Sequence, residues 1–225
     1  MTRLVIDTAT EKLLLGWKTN DALRLINVAS QGNHAGDILP RLKDLLQGQV
    51  PDQIGVAVGP GSFTGLRIGL STAKGLAEGW GCPLWPLDSL NAMATTWNRL
   101  YRRPETAVFA AIDARKQRFY GTLVHGDRVL IPVSDWSPDR WLDEITKHWS
   151  GSVALSGYQG QLMATRLGEL PSGWDAMQID DWTPALMAQL ESRSSVEPPM
   201  SPHEGPFYLR LSEAEEHRLA GQRLQ

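Results

Sequence analysis

Residues 54–77 constrain this chain more than any other stretch. Ile54-Gly55-Val56-Ala57-Val58 is a short apolar run of the kind that forms a buried strand. Gly59, Pro60 and Gly61 end it in a turn that needs unusual backbone angles. Ser62 or Thr64 can then cap a helix by accepting bonds from its free N–H groups. Leu66, Leu70, Ala73 and Ala77 recur at helical spacing, so one stripe of that helix faces a core. Gly65, Gly69 and Ala73 form a second stripe of very small residues. Glycine inside a helix costs about 1 kcal/mol relative to alanine. These positions, with Gly75, therefore imply that something packs very closely there.

A strand, a glycine turn and a helix have three readings. A phosphate-binding Walker loop needs Gly-Lys-Ser/Thr at its end, but Gly65 is followed by Leu66. A dinucleotide fingerprint would use Gly59 and Gly61, but Thr64 stands at the third glycine position and Gly65 comes one place late. Asp88 does lie where a ribose-binding acid is expected. The third reading is structural: a tight turn feeding a helix that docks against another helix.

Three strands are predicted ahead of this unit, over residues 4–6, 12–18 and 24–29, with Thr19-Asn20-Asp21 as a hairpin turn. A helix over 34–47 puts Ile38, Leu42, Leu45 and Leu46 on one face, with Pro40 inside it. A fifth strand over 83–87 and a helix over 89–101, capped by Ser89, follow. The order β-β-β-α-β-α-β-α is that of a ribonuclease-H-like or actin-like half-domain, an α/β mixed sheet flanked by helices. Arg99 to Glu105, with Arg102, Arg103 and Pro104, read as a linker, after which the pattern restarts. Strands over 107–112, 118–124 and 129–133, a helix over 138–149, a strand over 153–156 and helices over 161–170 and 184–191 form a reduced echo of the first set. The expected organisation is thus two lobes, residues 1–103 and 104–225. Residues 192–206 read as a Ser/Pro-rich loop and 211–225 as a charged, helix-prone tail.

Composition narrows the function. A net charge of −3 argues against binding nucleic acid through a broad basic surface. The lone Cys82 precludes an internal disulfide and fits a reducing compartment. No signal peptide or membrane-length apolar run is expected, so the location implied is cytoplasmic. The five histidines lie too far apart in sequence for an i, i+4 metal pair, although ligands from distant positions could still assemble. Ser62 is not in a nucleophile elbow, and Cys82 has no base nearby in sequence. Asp7 ends the first strand, where actin-like ATPases keep a carboxylate near nucleotide metal, but Thr8-Ala9-Thr10 supplies no glycine for phosphates. Asp7 and Thr8 are therefore either the remnant of a nucleotide site or a turn capped through its own backbone.

The run Gly59-Pro60-Gly61-Ser62-Phe63-Thr64-Gly65-Leu66-Arg67-Ile68-Gly69 resembles the signature of the bacterial tRNA threonylcarbamoyladenosine biosynthesis family TsaB, or YeaZ. Ile6-Asp7-Thr8, His34 with Ile38-Leu39-Pro40, Ser89-Leu90, residues 112–116 with Tyr120, and Tyr208-Leu209-Arg210 match in the family's order. The resemblance implies a two-lobed actin-like fold that has lost its own catalysis. It implies a non-catalytic subunit for forming threonylcarbamoyl-adenosine in tRNA, one that binds and activates the kinase-like enzyme TsaD. His34, Leu39, Leu42, Gly65, Arg67, Gly69 and Ala73 would carry that contact, and the same surface could form a homodimer. It further implies TsaE, an ATPase, in a larger complex and tRNA reached only indirectly. No cofactor would be the chain's own; ATP or ADP and a metal would belong at or near the partner interface. The competing expectation is a stand-alone actin-like ATPase or kinase, which the missing glycine turn after Asp7 disfavours.

Overall fold

The computed structural model describes residues 1–30 and 32–209. The tail 211–225 and Arg210 lie outside the described residues. The first lobe runs β1 (Arg3–Asp7), β2 (Lys12–Lys18), β3 (Leu23–Ala29), α1 (His34–Leu46), β4 (Gln53–Gly59), α2 (Phe63–Trp80), β5 (Leu84–Asp88) and α3 (Ser89–Tyr101). The second runs β6 (Ala107–Asp113), β7 (Phe119–His125), β8 (Arg128–Trp136), α4 (Pro138–His148), β9 (Val153–Ser156), α5 (Gly160–Leu167), β10 (Trp174–Ala176) and α6 (Thr183–Val196).

The strand orders are β3-β2-β1-β4-β5 and β8-β7-β6-β9-β10, so the second sheet repeats the first. In each, the first three strands are antiparallel and the last two add in parallel. This is the two-lobed actin-like architecture, with a second lobe reduced to a four-residue β9, an eight-residue α5 and a three-residue β10.

Alternation along the strands sets the layers. Leu4 and Ile6 point to an outer core with α1 and α2, whereas Val5 points inward. In the second lobe Ala107, Phe109 and Ala111 face α4 and α5, whereas Val108, Ala110 and Ile112 point inward. Both inner faces meet in one shared core that includes Trp97, Trp182, Leu186 and Leu190. The two helices in that core are exchanged: α6 packs on β1, β2, β4 and β5 of the first sheet, and α3 packs on β6, β7 and β9 of the second. Small residues admit α6. A Cβ at Gly16 would strike Thr183, and one at Gly55 would touch Leu190.

Several boundaries move from those expected. Asp88, not Ser89, caps α3, its side chain accepting from the Asn91 N–H at 3.0 Å. The helix α6 runs to Val196, into the stretch read as loop. The edge strand β10 was not expected; Trp174-Asp175-Ala176 is too short to show a period.

Candidate functional site

Two places concentrate the sequence-selected residues: the turn after β1, and the outer face of α1 and α2. At the first, Asp7 and Thr8 are 1% and 0% exposed. Asp7 Oδ1 accepts the Ala9 N–H at 2.7 Å, which is the turn-capping role. Oδ2 accepts the Ser89 hydroxyl at 2.8 Å and the Trp182 indole N–H at 2.7 Å. Trp182 comes from just ahead of α6 and closes the interlobe cleft over the carboxylate. Burial pushes the Asp7 carboxyl above the usual range, against the pull of its three donors. Thr8 donates to the Gly65 carbonyl at 2.8 Å. Neither residue presents a free face to solvent. Trp182 was not selected from the sequence, because nothing local marks an indole aimed at a carboxylate 175 residues away.

The corresponding turn of the second lobe repeats the cap, with Asp113 Oδ1 accepting the Arg115 N–H at 2.8 Å. Arg115 bridges the lobes by pairing with Glu11 at 2.7 Å. Lys12 does the same with Asp180 at 2.9 Å. Asp113 and Arg115 are thus part of the closed cleft rim.

The signature run builds the second place. At Gly59 φ is +121°, a value that favours glycine, and a Cβ there would lie 2.8 Å from the Phe207 carbonyl oxygen. Ser62 caps α2 by accepting the Gly65 N–H at 3.2 Å. The small stripe packs inside this chain. A Cβ at Gly65 would collide with the Thr8 carbonyl oxygen, and one at Gly69 with the Thr8 hydroxyl. The expected close approach of a partner helix at Gly65 and Gly69 is therefore replaced by the chain's own β1–β2 turn.

His34, Leu42 and Ala73 are likewise buried. His34 Nε2 lies 2.9 Å from the Thr10 carbonyl oxygen and ties α1 to the same turn. Of the seven residues selected for a partner, Leu39 and Arg67 are exposed. Leu39 is 57% exposed on α1. The Arg67 guanidinium lies 3.8 Å from the Phe63 ring centre, and its Nε donates to the Tyr208 hydroxyl at 2.9 Å. Phe63 and Tyr208 stack with centres 4.8 Å apart. The segment after α6 is thus strapped across α2, with Lys74 donating to the Pro202 and Glu204 carbonyls. Gly75 and Gly79 lie on α2 with open space around their Cβ positions.

Comparison with known proteins places this geometry in context. The tRNA threonylcarbamoyladenosine biosynthesis protein TsaB of Haemophilus influenzae is 36% identical over 183 residues, 78% of this chain and 74% of that protein. The chain belongs to the TsaB family. The Escherichia coli TsaB is 36% identical over 123 residues, 52% of each chain. The solved YeaZ of Pseudomonas aeruginosa superposes with a TM-score of 0.74 at 24% identity, covering 92% of this chain and 99% of that one, which shows the shared fold. Residues 29–132 match the family model described as TsaD, tRNA N6-adenosine threonylcarbamoyltransferase. That span contains α1, α2 and α3, so it includes the signature run of residues 59–69. Among the described residues no helix is long and apolar enough to cross a membrane.

Proposed function

We propose that this chain is a non-catalytic subunit in the transfer of threonylcarbamoyl to adenosine 37 of tRNAs that read ANN codons. It acts by binding and activating TsaD. The observation that carries this reading is the 36% identity to a TsaB protein across most of both chains. The closed cleft supports the non-catalytic part: Asp7, the residue nearest to an actin-like metal carboxylate, spends both oxygens on this chain's own donors. Nucleotide and metal then belong to the partner side, and TsaE joins in a larger complex.

The contact with TsaD is made by the outer face of α1 and α2. Leu39 and Arg67 meet the partner directly. His34, Leu42, Gly65, Gly69 and Ala73 hold the two helices in place from behind. A second copy of the chain can occupy the same face when TsaD is absent. The test is Leu39→Asp. Leu39 is exposed, so the variant should melt within a degree or two of wild type. Burying the new carboxylate in an interface should weaken TsaD capture at least tenfold. Capture at wild-type strength would remove α1 from the interface. Depletion of the chain should also lower threonylcarbamoyl-adenosine in digested bulk tRNA, and unchanged levels would sink the functional reading itself.

A further inference from the structure

We infer that the groove at the C-terminal end of α3 is a contact site for the phosphate backbone of RNA. The groove, 510 Å³ in volume, lies where the two lobes join, between the last turns of α3, the linker at Pro104 and Thr106, and the β7–β8 hairpin tip at Gly126 and Asp127. Arg99, Arg102 and Arg103 line it together with Thr95 and Asn98. Three of five successive residues are thus arginine in a chain whose net charge is −3. Asp127 is the one carboxylate in the lining, and Arg103 is paired with Asp175, so Arg99 and Arg102 face that one negative charge.

A basic last turn is ordinary at a helix C-terminus, because it offsets the dipole. Here the basic run continues past the helix end. Arg102 occupies the left-handed cap position, φ +49°, that glycine or asparagine usually takes. Among the described residues Arg103 is held by Asp175 at 2.8 Å, whereas Arg99, Arg102, Thr95 and Asn98 spend no side-chain donor on the protein. His125 anchors the opposite wall, its Nε2 lying 2.7 Å from the Pro104 carbonyl oxygen while its ring packs on Trp149. Two exposed guanidiniums, a hydroxyl and an amide therefore line one groove without an acceptor from this chain. Guanidinium forks match phosphate oxygens bidentately, and hydroxyl and amide donors add positioning contacts. The RNA class rests on the proposed function, in which tRNA is the substrate. It changes one expectation, that tRNA is reached only through the partner.

The test uses the full chain, alone and with TsaD, and an unmodified tRNA transcript titrated by fluorescence anisotropy at several salt concentrations. Arg99→Ala/Arg102→Ala should weaken RNA binding and reduce the slope of log affinity against log salt by about 1.4–1.8, since each lost phosphate contact removes about 0.7–0.9. Arg166→Ala, on α5, should leave affinity and slope unchanged. Both variants should keep the wild-type melting temperature, because their side chains are exposed. RNA binding with wild-type affinity and slope in the double variant would overturn the proposal. Displacement of RNA by pyrophosphate or ATP at equal phosphate concentration would assign the groove to a small anion instead, and would overturn it too. The failures are separable. If the double variant binds RNA normally while the chain is still needed for tRNA modification, only the groove is wrong. If depletion leaves modification unchanged, the functional reading has failed.

Discussion

Asp7 is a buried carboxylate that ties three parts of the chain together. Its two oxygens face three donors, the Ala9 N–H, the Ser89 hydroxyl and the Trp182 indole. Asparagine offers one acceptor oxygen, so Asp7→Asn leaves at least one buried donor facing an NH2 group. That costs about 1–3 kcal/mol. The cost depends on pH in a definite direction. The folded carboxyl is held above the ordinary value of 3.8 by burial. Below that value both folded and unfolded chains are protonated. As pH rises past it, the unfolded chain ionises first, and the native wild type loses stability until it ionises as well. Asp7→Asn has no such slope, so the gap between the two proteins should narrow as pH rises from about 4. Urea unfolding midpoints measured from pH 4 to pH 8 check this; parallel curves would mean that the folded carboxyl is not raised above the unfolded one.

The helix α2 separates two kinds of glycine that sequence alone treats alike. Gly69→Ala improves helix propensity by about 1 kcal/mol, but its methyl must enter the space of the Thr8 hydroxyl, and overpacking costs about 1–3 kcal/mol. The hydroxyl also loses its bond to Gly65 if it moves. Gly75→Ala meets nothing within 4 Å, so the free protein should gain about 1 kcal/mol. Calorimetry of the two variants should therefore move the melting temperature in opposite directions, and a shift of the same sign in both would show that the stripe is misassigned. The sequence made α2 and its apolar stripe legible because Leu66, Leu70 and Ala73 repeat at helical spacing over a long element. It did not show what the glycines meet, because a missing side chain leaves no trace of its neighbour. The strand β10 and the cap of α3 were missed for a related reason. Three residues carry no period, and Asp88 and Ser89 are both good caps, so only the demand of Asp7 for the Ser89 hydroxyl separates them. His34 was placed near the start of α1 correctly, but its bond to Thr10 belongs to the tertiary fold.

The lobes read from the sequence are topological units, but the packing joins them. Each sheet is covered on its inner face by the last helix of the other lobe. Residues 1–103 alone would leave Val5, Leu14 and Leu87 of the inner face without α6. That fragment should not give a cooperative thermal transition, whereas the whole chain should unfold in a single step seen alike by circular dichroism and tryptophan fluorescence. A stable, cooperatively melting fragment would show that α6 is dispensable to the first sheet. The exchange of helices also has a consequence during synthesis. The first sheet is complete when Asp88 has been made, but its cover ends at Val196. At roughly 5–20 residues per second, the nascent chain carries an uncovered apolar sheet for about 5–20 seconds. Slow translation or a pause within the second lobe lengthens that interval, and the growing chain is then a natural client for ribosome-associated chaperones.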